Sequence, residues 1–136
     1  MEAALPLDEN KPFKPVNIAL ITVSDTRTYE NDTSGDLLAD FIVGAGHHLV
    51  DRMIERDDTS RLVARLHTLI DDDNVDAVIL TGGTGLTGRD ITPEALDKVK
   101  SKDIPGFGEL FRMLSYDSIG TSTIQSRACA VLARGT

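Results

Sequence analysis

Three short apolar runs, each followed by a segment with helical spacing, constrain this chain more than any other feature of its sequence. The first is Val16–Ser24, "VNIALITVS", a β-branched run that suits a strand buried on both faces. The second, "HHLVDRMIE", starts at His47, and the third, "VDAVILT", ends at Thr81. Between the first two, Leu37, Leu38, Phe41 and Ile42 recur at helical spacing until Gly44 and Gly46 close the segment. Between the second and third, Leu62, Val63, Leu66, Leu69 and Ile70 share one helical face, with Asp58 or Ser60 as the N-cap. Strands that alternate with helices mean βαβ units, hence a mostly parallel sheet with helices on both faces. Ligands of such sheets bind at the carboxyl ends of the strands.

The expected fold class is therefore α/β, a three-layer α/β/α sandwich around a mostly parallel central sheet. The 136 residues fit one domain with one core, here residues 15–136, after a Pro- and charge-rich lead-in over residues 1–14 that reads as mobile. Beyond the third strand, Thr92-Pro93-Glu94 opens a helix with a capping hydroxyl and a proline at the first helical position. "IPGFG" breaks the chain, and Phe107, Leu110, Phe111 and Leu114 mark another helix. The last segment, "TSTIQSRACAVLARG", reads as a helix with Ile124, Ala128, Val131 and Leu132 inward and Gly135 as its stop. On that reading Cys129 is a small core residue on an apolar helix face.

Charge and cysteine usage narrow the partners. A net charge of −8 argues against nucleic acid and anionic membrane, which need a basic footprint. It leaves room for a small phosphorylated ligand, because backbone N–H groups bind anions without any cationic side chain. The single cysteine is compatible with a reducing cytoplasm. No run approaches the ~18 apolar residues of a membrane span.

The chemistry concentrates after the third strand, in "LTGGTGLTGRDITPEA" (residues 80–95). Dense glycine at a strand end lets backbone approach a guest closely, and the candidate guest is a phosphate. Gly83, Gly85 and Gly88 formally match GxGxxG, but the helix starts only at Thr92 and no strand with a ribose-binding acid follows, which disfavours a nicotinamide enzyme. A Walker loop needs Gly-Lys-Ser/Thr, which is absent. What remains is a phosphate cradle of another kind, or a tight strand-to-helix turn without a ligand. Asp25, Asp57 and Asp58 follow the first two strands and Asp90 follows the glycine loop, so a parallel sheet delivers them to one edge. Convergent carboxylates beside phosphate suit Mg²⁺, with Asp57 and Asp90 as the favoured pair, although each alone could cap a helix or face water. His47 and His48 point to opposite faces of a strand and His67 lies on a helix, so no zinc set emerges.

With these elements assembled, "ITVSDTR", "DTSG", "GHHLVDRMIERDD", "ILTGGTGLTGRDITPEAL" and "IPGFGELFRMLSYDSIGTSTIQSRA" resemble the MoaB/MogA family of molybdenum cofactor biosynthesis proteins, on its MoaB side. The likeness runs from about Val16 to the end. It implies trimers or hexamers and molybdopterin adenylyltransferase activity, in which molybdopterin and Mg-ATP give adenylylated molybdopterin and pyrophosphate. Carried over, Thr81, Gly82, Gly83, Thr84 and Gly85 would hold pterin or nucleotide phosphate, and Asp57 (with Asp58 adjacent) and Asp90 would be the catalytic, Mg²⁺-binding acids. Ser24, Asp25, Glu94, Ser126 and Arg127 would complete the binding site. The resemblance also implies a further apolar strand, a Pro-Gly turn and a last helix, which do not follow Thr136 in this sequence. A second reading is a molybdopterin- or nucleotide-binding module without turnover, working with other cofactor-assembly enzymes.

Overall fold

The computed structural model describes residues 6–136; the first five residues of the expected lead-in lie outside the described residues. Residues 6–16 hold no helix or strand, yet Phe13 rests on the His47 ring at 5.2 Å between centroids, and the His47 Nδ1 accepts the Val16 N–H at 3.1 Å.

The core alternates as expected: β1 (Asn17–Val23), α1 (Thr33–Gly44), β2 (His48–Glu55), α2 (Thr59–Ile70), β3 (Ala77–Thr81) and α3 (Thr92–Val99). The three strands form a parallel sheet in the order β2-β1-β3, with Thr22 opposite both Ile54 and Thr81. β1 is central, and its side chains divide between two apolar clusters. Ile18 and Leu20 pack with Ile42 and Leu38 of α1 on one face; Ala19, Ile21 and Val23 pack with Leu62 and Leu66 of α2 and Leu96 of α3 on the other. That is the three-layer α/β/α arrangement, and it explains why β1 reads as unbroken hydrophobicity rather than alternation.

Two caps set helix directions. Asp58 caps α2, its carboxylate accepting the Arg61 N–H at 3.0 Å. Asp32 caps α1 through the Gly35 N–H at 3.0 Å, while accepting the Thr22 hydroxyl at 2.7 Å and Arg52 at 3.2 Å. Burial works to raise the pKa of Asp32, but these three donors outweigh it and hold the carboxyl below its usual range. The network fastens the start of α1 to both β1 and β2.

The last third of the chain departs from the sequence reading. After β4 (Lys102–Asp103) and α4 (Pro105–Ile119), the expected terminal helix is a 3₁₀ helix, Gly120–Gln125, followed by extended chain and β5 (Val131–Leu132), which pairs antiparallel with β4. The apolar spacing suits a helix, but the backbone found other partners. The Ile104 N–H donates to Ala130 O at 2.9 Å and the Ser101 N–H to Leu132 O at 2.7 Å. Arg112 of α4 donates to Ala128 O at 2.9 Å and Ser126 O at 3.3 Å. Side chain and strand bonds thus take the carbonyls that a helix would have used internally. Cys129, expected inside, is exposed on this extended segment, and Ile124, expected inward, is 77% exposed. Among the described residues no helix is long and apolar enough to cross a membrane.

Candidate functional site

The carboxyl ends of all three parallel strands meet at one edge of the sheet. The Ser24 N–H donates to Glu55 O at 2.8 Å, joining the chain after β1 to the end of β2. Just beyond, Asp25 and Asp57 interlock: each carboxylate accepts the other residue's backbone N–H at 3.1 Å. The Ser24 hydroxyl accepts the Arg27 and Thr26 amides, so it shapes the local turn.

The glycine loop leaves β3 at this same edge. Gly82 and Gly83 take φ values of +95° and +70°, a left-handed pair that only glycine adopts cheaply. At Gly82 the reason is close approach, since a Cβ there would lie 2.4 Å from Val23 O. Gly83 passes beside both Thr92 and Asp57: its Cβ would fall 2.5 Å from the Thr92 Oγ1 and 3.5 Å from the Asp57 Oδ1. Gly85 lies against Asp90, whose Oδ2 would be 2.7 Å from a Cβ. Asp57 and Asp90 therefore flank the loop, one beside Gly83 and the other beside Gly85. The Gly83 and Thr84 amides donate no hydrogen bond among the described residues. Consecutive unused amides in a left-handed turn form an anion-binding concavity.

Thr92 was expected to cap its helix with its hydroxyl. Instead the buried hydroxyl donates to Gly82 O at 2.8 Å, and the Thr92 N–H donates to Gly83 O at 3.1 Å, so α3 is sewn directly to the loop. α3 starts without a side-chain cap and with Pro93 in its first turn. Ser126 and Arg127 lie on the extended segment after the 3₁₀ helix. Arg127 turns its guanidinium onto the loop: Nε donates to Gly85 O at 2.7 Å, one terminal nitrogen to Asp90 O at 2.9 Å, and the other pairs with Glu94. Sequence reasoning missed Thr92 as a loop anchor and Arg112 as the support behind Ser126. No local pattern signals either, because both partners are distant in the chain.

The two acids carry opposite perturbations. Burial pushes the Asp57 pKa up, and the nearby Asp25 and Asp90 carboxylates add to the rise. Asp90 is held below the usual carboxylate range by the Thr87 hydroxyl and amide, which donate to its Oδ2 at 2.8 and 2.9 Å. Since the folded-state pKa of Asp57 exceeds its unfolded value, its contribution to stability is complete below the unfolded pKa and is lost as pH rises through the folded one. Ionised Asp57 is thus a liability to the fold. In metal-free buffer, Asp57→Asn should raise the melting temperature at pH 7.5, because it removes that charge. The gain should be smaller at pH 3.5, because the wild-type carboxyl takes up its proton as pH falls. Melts of both proteins at the two pH values check this; an equal gain at both would remove charge as its cause.

An apolar cleft of about 610 Å³ adjoins the loop at Thr81, Gly82 and Thr84 and opens along β3, with Leu37 of α1 and Phe111 of α4 among its walls. Among the described residues β3 pairs only with β1, so its other edge faces this cleft.

Comparison with known proteins agrees with this architecture. The family described as "probable molybdopterin binding domain" matches residues 19–134. The molybdenum cofactor biosynthesis protein B of Escherichia coli K12 is 48% identical over 124 residues, covering 91% of this chain and 73% of that protein. The chain belongs to the MoaB/MogA family of molybdenum cofactor biosynthesis proteins. A crystal structure of molybdenum cofactor biosynthesis protein B superposes with a TM-score of 0.85 at 41% identity, covering 90% of this chain and 77% of the other. The tungsten cofactor synthesizing protein MoaB of Pyrococcus furiosus superposes at 0.78 with 36% identity, covering 92% and 78%. In this chain the glycine loop, the flanking acids and the Arg127 segment lie at one edge of the fold it shares with these structures.

Proposed function

We propose that the protein adenylylates molybdopterin. The terminal phosphate of molybdopterin attacks the α-phosphorus of ATP, a new P–O bond forms as the bond to the α–β bridging oxygen breaks, and pyrophosphate leaves. The phosphate nucleophile is already ionised, so no general base is required. Such transfers are accelerated mainly by positioning and charge neutralisation. The observation that carries this reading is the juxtaposition of unused glycine-loop amides with Asp57 and Asp90.

The donor set suits Mg²⁺. Burial, and after it the Asp25 and Asp90 carboxylates, disfavour the charged form of Asp57, and a bound divalent cation would offset both. The described residues contain no group of three or more ligating side chains, so a metal would complete its shell with phosphate and water, as Mg²⁺ commonly does. Asp57 and Asp90 would hold the ion, which would neutralise the polyphosphate. The loop amides would hold phosphate oxygens, with Ser24, Asp25, Thr81, Glu94 and Ser126 around them.

Self-association belongs to the same reading. α4 exposes Phe107, Leu110, Phe111, Met113, Leu114 and Ile119, more apolar surface than one helix of a monomer leaves in water. Burial of this face in a trimer or dimer of trimers fits; sedimentation as a monomer at micromolar concentration would remove that part. The reaction belongs in the cytoplasm, where exposed Cys129 stays reduced.

Incubation with molybdopterin and Mg-ATP should release pyrophosphate in step with adenylylated pterin. Tight pterin binding without pyrophosphate would instead favour the reading as a binding module, in which Asp90 serves only to fold the loop through Thr87.

A further inference from the structure

We propose that Arg127 is a positioning residue, which aims the glycine-loop amides from behind and does not touch the phosphate. The inference rests on the reading of that loop as a phosphate site.

The geometry is that of a clamp on carbonyls. The Arg127 N–H donates to Thr84 O at 2.8 Å, Nε to Gly85 O at 2.7 Å, and a terminal nitrogen to Asp90 O at 2.9 Å. Three peptide planes of the loop thus turn their C=O groups toward one residue. In a trans peptide the C=O and the following N–H point in opposite directions. The N–H groups of Gly85, Leu86 and Ile91 are therefore directed away from Arg127. For Gly85 that direction is toward the Asp90 carboxylate, which lies close enough to crowd a Cβ at Gly85. One side chain so fixes the Gly85, Leu86 and Ile91 amides, which follow the Gly83–Thr84 concavity in the chain, and the position of Asp90 together.

Each of the three guanidinium nitrogens already has a protein acceptor. Its remaining terminal nitrogen pairs with Glu94 of α3, which holds the fork flat against the loop. The segment carrying Arg127 is held from its other side, where Arg112 donates to Ser126 O and Ala128 O, at 3.3 and 2.9 Å. Gly108 permits this: a Cβ there would lie 2.5 Å from Ala128 O and 2.6 Å from the Arg112 guanidinium. A chain of contacts thus leads from α4 through Arg112 and residues 126–128 to the loop.

The clamp requires a planar fork, so lysine cannot replace it even though charge is kept. Backbone order parameters of Gly83–Gly88 and affinity for inorganic pyrophosphate separate the possibilities. In Arg127→Lys the loop order parameters should fall from about 0.85 toward 0.6, values typical of rigid and flexible backbone. Pyrophosphate affinity should fall about tenfold with β1 and β2 unchanged. Glu94→Gln should move both quantities in the same direction by less, and it carries the test should Arg127→Lys not fold. A loop that stays ordered while affinity drops would mean that Arg127 meets the anion directly, overturning the proposal. Loop disorder with undiminished affinity would equally overturn it. Wild-type protein that binds no pyrophosphate would instead overturn the phosphate reading of the loop, while the order parameters would still report whether Arg127 holds it.

Discussion

Asp90→Asn should lower the rate of adenylyl transfer by about a hundredfold or more, the scale of losing one preorganised electrostatic contact at a reacting phosphate. The substitution isolates charge from folding. Asp90 Oδ2 holds the turn by accepting the Thr87 amide and hydroxyl. An asparagine side-chain oxygen can accept the same two bonds, so the loop keeps its path while the negative charge disappears. Pyrophosphate or pterin affinity measured without Mg²⁺ should therefore survive, because it rests on amides. The Mg²⁺ dependence of the residual rate should weaken. Alanine at the same position would confuse the two roles, since it also releases Thr87. Should Asp90→Asn retain near wild-type turnover, the carboxylate is a structural element of the turn and its catalytic assignment must be dropped. Should binding and thermal stability collapse together, the turn depends on charge, and the same conclusion follows.

Gly82→Ala should be the most damaging single substitution in the loop for stability. The residue sits at φ +95°, and the added methyl would lie 2.4 Å from Val23 O, a backbone atom of the central strand. A flexible side chain could yield at that distance; a carbonyl within a parallel ladder cannot without breaking strand pairing. Strain in φ alone costs about 1–2 kcal/mol, and displacing packed backbone adds about as much again or more. The sum, about 4 kcal/mol, is a large share of the stability of a domain this size. The expected result is a fall of roughly 15 °C in melting temperature, or failure to fold. Gly88→Ala is the control: nothing lies within 4 Å of its added methyl and its φ is not positive, so its effect should stay within about 0.5 kcal/mol. A Gly82→Ala protein that melts with the wild type would mean that the close approach to β1 does not exist.

Much of this molecule was legible before any coordinates. The β-branched run at Val16–Ser24, the amphipathic spacing of Leu62, Leu66 and Leu69, and Asp58 before that helix are local signals, and each names its own element. Parallel βαβ connectivity follows from their alternation, and the convergence of Asp25, Asp57 and the glycine loop follows from parallel strands ending at one edge. Those inferences succeed because hydrophobic periodicity and chain direction are properties of the sequence itself.

Other features could be decided only by contacts between residues far apart. The last segment has the apolar spacing of a helix, yet Arg112, fourteen and sixteen positions before Ser126 and Ala128, holds its carbonyls and β4 pairs with its end. Thr92 has the chemistry of a cap, but the nearness of Gly82 O offers its hydroxyl a buried partner ten positions back. Arg127 resembles an anion ligand in sequence, and folding spends its fork on Gly85, Asp90 and Glu94. Sequence alone determined the layers, the parallel run of the strands and the residues available at the edge. Tertiary structure decided which partner each of those residues takes, because hydrogen-bond donors and acceptors choose partners by proximity in space, and that proximity exists only once the sheet has formed.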